Sequence, residues 1–163
     1  MTNKQIVSDH QIIIQHNLDT VTDLLIHNLF IYLRDKYGCT YFTYMNECFI
    51  TKKTIYFSND PLWQEEYFST GLANNCHIYK NAFLASGRNF NYVIWEMCPP
   101  ILKDEKDINS LRESRNIANG IGFANQNDDY RESFSFATKK ANKGFYKNFR
   151  DPHTISNILR DCK

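Results

Sequence analysis

The sequence predicts an α+β fold: a three-layer α/β/α sandwich around a five-stranded, mainly antiparallel sheet. Three observations predict it. Two pairs of Tyr-, Phe- and Ile-rich segments are each joined by a few polar residues, the pattern of β-hairpins. Helical patterns fall between and beside those pairs, so that both sheet faces are covered. Aromatic residues make up 15% of the chain, carried by twelve Phe, ten Tyr and two Trp against only six Gly and four Pro. That surplus of flat side chains has to be packed around a core or around an apolar guest.

The elements follow in order. Residues 1 to 17 are ambiguous, with Ile12-Ile13-Ile14 flanked by polar residues. Thr20-Val21-Thr22-Asp23 is a capping-box sequence, and Leu18, Val21, Leu25, Leu29 and Tyr32 recur at helical spacing up to a C-capping Gly38. Cys39 to Met45 and Cys48 to Ser58 form a hairpin turning at Asn46-Glu47. Asp60 caps a short helix with Pro61 at its first position, running to about Gly71. Asn91 to Met97 is a strand ended by Cys98-Pro99-Pro100. Ser110-Leu111-Arg112-Glu113 is a second capping box, opening a helix that Gly120 closes. Strands Ile121 to Asn125 and Tyr130 to Ala137 join across Asn127-Asp128-Asp129, with Phe134 and Phe136 on one face and Ser133 and Ser135 on the other. Thr138 caps a basic helix to Phe149, and a last helix runs from Thr154 to Lys163.

Length and composition bound the rest. With 163 residues, net charge +1 and 42% hydrophobic residues, the chain reads as a single globular domain, residues 1–163, without repeat or linker. No apolar run approaches the roughly 20 residues that span a bilayer, and the N-terminus lacks the apolar stretch of a secretory signal. A cytoplasmic protein without membrane association is expected. The five cysteines show no Cys-x-x-Cys pair and the five histidines no ligand spacing, so free thiols, no metal and no cofactor are expected. Residues 131 to 163 hold eight Lys and Arg against three Asp and Glu, leaving the rest of the chain mildly acidic.

The segment 59–67, Asn-Asp-Pro-Leu-Trp-Gln-Glu-Glu-Tyr, sets Trp63 and Tyr67 four apart on one helical face. It resembles the Trp-x-x-x-Tyr helix of the autoinducer-binding domain of LuxR-type quorum-sensing transcriptional regulators. Tyr92-Val93-Ile94-Trp95-Glu96 resembles that family's second Trp strand, and Phe134-Ser135-Phe136-Ala137 its Leu-Ser-Phe-Ala strand. Asn116-Ile117-Ala118-Asn119-Gly120 resembles its Gly-Leu-x-x-Gly segment, with Asn116 in place of the first Gly. The pieces span residues 59 to 137, and Tyr41 to Met45 sits where the family has a pocket-lining strand.

The resemblance implies a PAS/GAF-like sensor domain that holds an apolar or acylated signal between sheet and helices and couples it to dimerisation or to a related regulator. Trp63, Tyr67 and Trp95 would wall the pocket, Ser135 would offer a hydrogen bond, and Tyr44 and Asn59 are weaker candidates. The family's carboxylate, thirteen positions after the helix Trp, accepts a hydrogen bond from the amide of an acyl-homoserine lactone. Here that position is Cys76, a poor acceptor. Asn59 stands for a family Tyr and Ala124 for a family Pro. No DNA-binding unit is recognisable before Lys163, so direct DNA binding by this chain is not expected; the chain is either the N-terminal part of a longer regulator or a stand-alone domain. The apolar stripe Ile155, Ile158, Leu159 and Cys162 offers a surface for a partner or for the domain itself.

Other functions fit less well, and no catalytic residue is assigned. One alternative is an interaction module of the same fold with a filled, ligand-free core. Cys76-His77 could form a thiol nucleophile and base, but no orienting carboxylate is identifiable. Arg115 to Gly120 loosely echoes the acetyl-CoA loop of acetyltransferases, yet it ends a helix and enters a strand, the reverse of the order such a loop requires, and Ala118 replaces a Gly.

Overall fold

The computed structural model describes residues 11–14, 21–84 and 90–161. Six strands form one sheet in the order β1-β3-β2-β6-β5-β4. They are β1 Gln11–Ile14, β2 Tyr41–Cys48, β3 Lys53–Ser58, β4 Asn91–Ile94, β5 Asn119–Gln126 and β6 Tyr130–Thr138. The helices are α1 Val21–Tyr37, α2 Pro61–Ser69, α3 Leu72–Asn75, α4 His77–Leu84, α5 Lys103–Ser114 and α6 Pro152–Asp161. The five expected strands are present and pair antiparallel; β1, in the ambiguous N-terminal stretch, adds a sixth at the edge, parallel to β3.

Strand alternation sorts the side chains into two cores. Phe42, Ile121, Phe123 and Phe136 face one layer, where Leu33 of α1, Phe145, Phe149 and α6 residues Ile155 and Ile158 complete a buried cluster. Tyr41, Met45, Tyr56 and Ala137 face the other layer, against Trp63 and Phe68 of α2, Ile78 and Ala82 of α4 and Ile108 of α5. Ile155 and Ile158 are therefore spent inside the domain, while Cys162 of the same stripe lies outside the described residues and the side chain of Leu159 is not described. In α1 the packed face is Ile26, Leu29, Phe30 and Leu33, and Leu25 is exposed. Leu18 and the capping Thr20 also lie outside the described residues. Gly38 ends α1 with a φ of 71° and its N–H on the Arg34 carbonyl at 2.9 Å, the expected C-cap.

Several boundaries move for physical reasons. The first hairpin turns at residues 49–52, where Lys52 takes a φ of 57°, and not at Asn46-Glu47. Asn46 and Glu47 stay in β2 because the pairing runs on to Cys48↔Lys53, and Glu47 is buried in an ion pair with Arg131. Asn91 to Met97 splits into β4 and a 3-10 turn, Trp95–Met97, so Trp95 leaves the strand. Ser110 opens nothing: α5 starts two turns earlier, where the Glu105 carboxylate accepts from the N–H groups of Ile101 at 2.8 Å and Leu102 at 3.0 Å. Gly120 is a strand residue.

The basic helix expected from Thr138 is absent. The Asn119 side-chain amide donates to the carbonyls of Lys139 and Asn142, both at 3.2 Å, which a helix would need for itself. Turns and a 3-10 segment, Phe145–Phe149, then bury Phe145 and Phe149.

Candidate functional site

Asp60 caps α2 through the Trp63 N–H at 3.0 Å, and Pro61 fixes the first helical φ. That start aims Trp63 and Tyr67 at the sheet, their rings 5.4 Å apart. Trp95 approaches from the 3-10 turn after β4, and Ser135 from the inner face of β6. Cys76 arrives between α3 and α4. All five line one cavity of about 70 Å3 between the sheet and the helical layer of α2, α4 and α5.

Two of the expected residues are elsewhere. Tyr44 points to the opposite sheet face because it alternates with Thr43 and Met45, and its hydroxyl donates to Glu132 at 3.1 Å. Asn59 is a clasp, accepting from the Phe42 N–H at 2.7 Å and donating to the Thr40 carbonyl at 2.9 Å. Its side chain is occupied in joining α2's entry to the start of β2.

The cavity has a polar end and an apolar one. Met45, Phe68, Tyr79 and Phe83 form the apolar end. At the other end Trp95 lies flat over Gly120: an added Cβ there would sit 2.6 Å from the indole. The indole nitrogen and the Ser135 hydroxyl lie 3.6 and 3.0 Å from the place a Gly122 Cβ would take, so two glycines of β5 make room for this corner. Burial, and then the neighbouring Cys76, hold the Tyr67 phenol protonated, well above its ordinary pKa, so it can act as a donor. Gln64, also lining the cavity, accepts from Tyr41 at 3.0 Å and Thr43 at 2.9 Å.

Gln64, Met45, Phe68, Tyr79 and Phe83 are not among the expected site residues, and neither is Arg112, the charged side chain of the lining. It is only 4% exposed and lines the polar end, its guanidinium 4.6 Å from the Trp95 ring centroid. One terminal nitrogen donates to the Cys76 sulfur at 3.8 Å and the other to the Asn109 side chain at 2.5 Å. The signal was available: Ile108 and Arg112 lie four apart on the buried face of α5. Starting the helix at Ser110 hid it by placing Arg112 in a first turn.

Cys76 and His77 share no hydrogen bond among the described residues. The Cys76 sulfur accepts from Arg112, and His77 is buried with its Nδ1 unpaired among the described residues. Burial, reinforced by Arg112, pushes the His77 pKa below 6.5. The folded state thus binds its proton less readily than the unfolded chain, and stability present above pH 6.5 should fall as pH drops below it. Urea midpoints at about pH 7.5 and about pH 5.5 should separate for the parent chain and converge for His77→Gln.

The described residues contain no group of three or more His, Cys, Asp and Glu placed to hold a metal. No described helix is long and apolar enough to cross a membrane.

No protein-family model and no curated protein matches the sequence. Solved structures do match the fold. SdiA of Escherichia coli superposes with a TM-score of 0.62 at 10% identity over 88% of this chain, and SdiA in complex with octanoyl-rac-glycerol with 0.63 at 10% identity over 88%. CepR2 of Burkholderia cenocepacia, an N-acylhomoserine lactone dependent LuxR-family transcription factor, gives 0.55 at 12% identity over 85% of this chain and 90% of its own. The chain has the fold of the LuxR-family autoinducer-binding domain. It spans 59% and 58% of the two SdiA chains. Within that autoinducer-binding fold, Asn116, which stands where the LuxR pattern has its first Gly, adopts the left-handed φ of 61° that Gly would supply. Arg115 caps the C-terminus of α5 and Asn119 opens β5, so the acetyltransferase-like string runs from helix into strand.

Proposed function

We propose that this chain is a non-enzymatic signal-binding domain, holding an apolar or acylated small molecule between the sheet and the α2/α4/α5 layer. The observation that carries the reading is the cavity itself, walled by Trp63, Tyr67 and Trp95 and graded from a polar to an apolar end. Ligand pockets are mostly apolar with a few placed polar groups, and this one follows that design. Binding is coupled to dimerisation or to a partner regulator, the chain acting alone or as the N-terminal part of a longer protein. It does not bind DNA itself.

A second reading, an interaction module with a filled core, draws on one number. The cavity of about 70 Å3 is well below the roughly 300–1,000 Å3 of drug-sized pockets, so a guest has to move side chains to enter.

One titration decides between them. Trp63 and Trp95 are the only tryptophans, so intrinsic fluorescence reports the cavity directly. Octanoyl-glycerol, acyl-homoserine lactones and simple C6 to C10 amphiphiles should shift the emission. At a hundredfold excess over Kd a binder should add about 2.7 kcal/mol, raising Tm by roughly 5–10 °C. Unchanged emission and Tm across the whole set would favour the filled module.

A further inference from the structure

Arg112 is a buried cation with no carboxylate against it among the described residues. A guanidinium keeps its charge at any physiological pH, and taking it out of water costs several kcal/mol unless a counter-charge or full hydrogen bonding compensates. Among the described residues no carboxylate lies within 4.0 Å of it. Among the described residues its three nitrogens find a thiol at 3.8 Å, an uncharged amide at 2.5 Å and, for Nε, no partner. Glu113, connected to it through Asn109, is held at 2.7 Å by Lys140. The neighbouring Trp95 indole N–H is likewise buried and unpaired among the described residues. Beside them stand the Tyr67 phenol and the Ser135 hydroxyl, each able to donate, so the polar end gathers several N–H and O–H donors around one fixed positive charge.

Resting on the signal-binding reading above, we infer that the ligand is a carboxylate-bearing amphiphile, its head group placed against Arg112 and Trp95 and its apolar body directed toward Met45, Phe68, Tyr79 and Phe83. A carboxylate accepts only, offering about four lone-pair sites to this set of donors, and it neutralises the guanidinium. A neutral head such as an amide offers one carbonyl and leaves the charge of the guanidinium uncompensated.

The test compares equal tails with different heads on the intact chain. Hexanoate, octanoate and decanoate are titrated against the corresponding primary amides at neutral pH, read by Trp emission and by calorimetry. Octanoate is expected to bind at least tenfold tighter than octanamide, and Arg112→Gln should abolish that preference while Arg112→Lys retains part of it. Equal or tighter binding of the amide overturns the anionic head group and leaves the signal-binding reading standing. Binding of neither series, with unchanged emission, overturns this inference, while the signal-binding reading is decided by the wider probe set above. The parent-chain comparison needs no variant, so a misfolded Arg112→Gln does not decide the matter. A carboxylate preference unchanged in a folded Arg112→Gln would assign the selectivity elsewhere and refute the role of Arg112.

Discussion

Phe136→Ala is expected to destabilise the fold by about 3–5 kcal/mol, the usual cost of emptying a fully buried aromatic site. Phe136 is 0% exposed and sits on β6, a central strand, on the sheet face opposite the cavity. Its ring centroid lies 5.7 Å from Phe149, 5.9 Å from Phe123 and 6.3 Å from Phe145, so it joins the sheet to the C-terminal 3-10 segment. Those neighbours are themselves rings with backbones fixed by sheet pairing or by the Asn119 clasp, which limits their collapse into the hole. Urea unfolding followed by far-UV circular dichroism would measure the loss, and Phe136→Leu should cost less. A change below about 1 kcal/mol for the alanine variant would mean that the α1/α6 layer repacks freely, against the density expected of a protein interior.

Gly120→Ala is expected to cost about 1–3 kcal/mol and to disturb the candidate site at the same time. The new Cβ would meet three indole atoms of Trp95 at 2.6, 2.7 and 2.8 Å, all in the fused part of a rigid ring. Trp95 is 7% exposed and covered by the Arg112 guanidinium, so it has no solvent to retreat into. The ring has to rotate or the strand has to shift, and either changes the emission of one of only two tryptophans. A double-mutant cycle with Trp95→Phe isolates the clash, since a smaller ring should recover part of the loss. Unaltered stability and emission in Gly120→Ala would show that the indole does not rest on β5. The prediction also explains the Gly in this segment physically: the residue is needed for close approach, not for an unusual φ.

Much of the fold was legible because its signals are local. Alternating Phe134-Ser135-Phe136-Ala137 gave a strand with a serine face, and Asp60-Pro61 gave the start of α2 with Trp63 and Tyr67 on one side. Both survive in three dimensions because capping and alternation act within a few residues. The errors share a cause as well. Asn46-Glu47 looked like a turn since its polar character is local, whereas its burial depends on Arg131, distant in sequence. Lys139 to Phe149 looked like a basic helix, whereas the Asn119 amide, on the neighbouring strand β5, takes carbonyls of that segment. Ser110 satisfied a capping pattern inside a helix already begun at Lys103, a pattern that the tighter Glu105 cap outcompeted.

The aromatic surplus shows the same division. Sequence determined that large rings are plentiful, that Trp63, Tyr67 and Trp95 belong together and that residue 76 offers a thiol where a carboxylate acceptor is the family pattern. Tertiary structure decided how the surplus is shared: most Phe residues fill the α1/α6 core, while Trp63, Tyr67, Tyr79 and Trp95 surround a cavity. It also decided that Tyr44 and Asn59 stand outside and that Arg112 stands inside. The physical reason is phase. One residue of strand register reverses a side chain's face, and one residue of helix start rotates it by about 100°. Residue types therefore identify the chemistry available to this chain, and only the packed sheet and helices fix which of those groups meet.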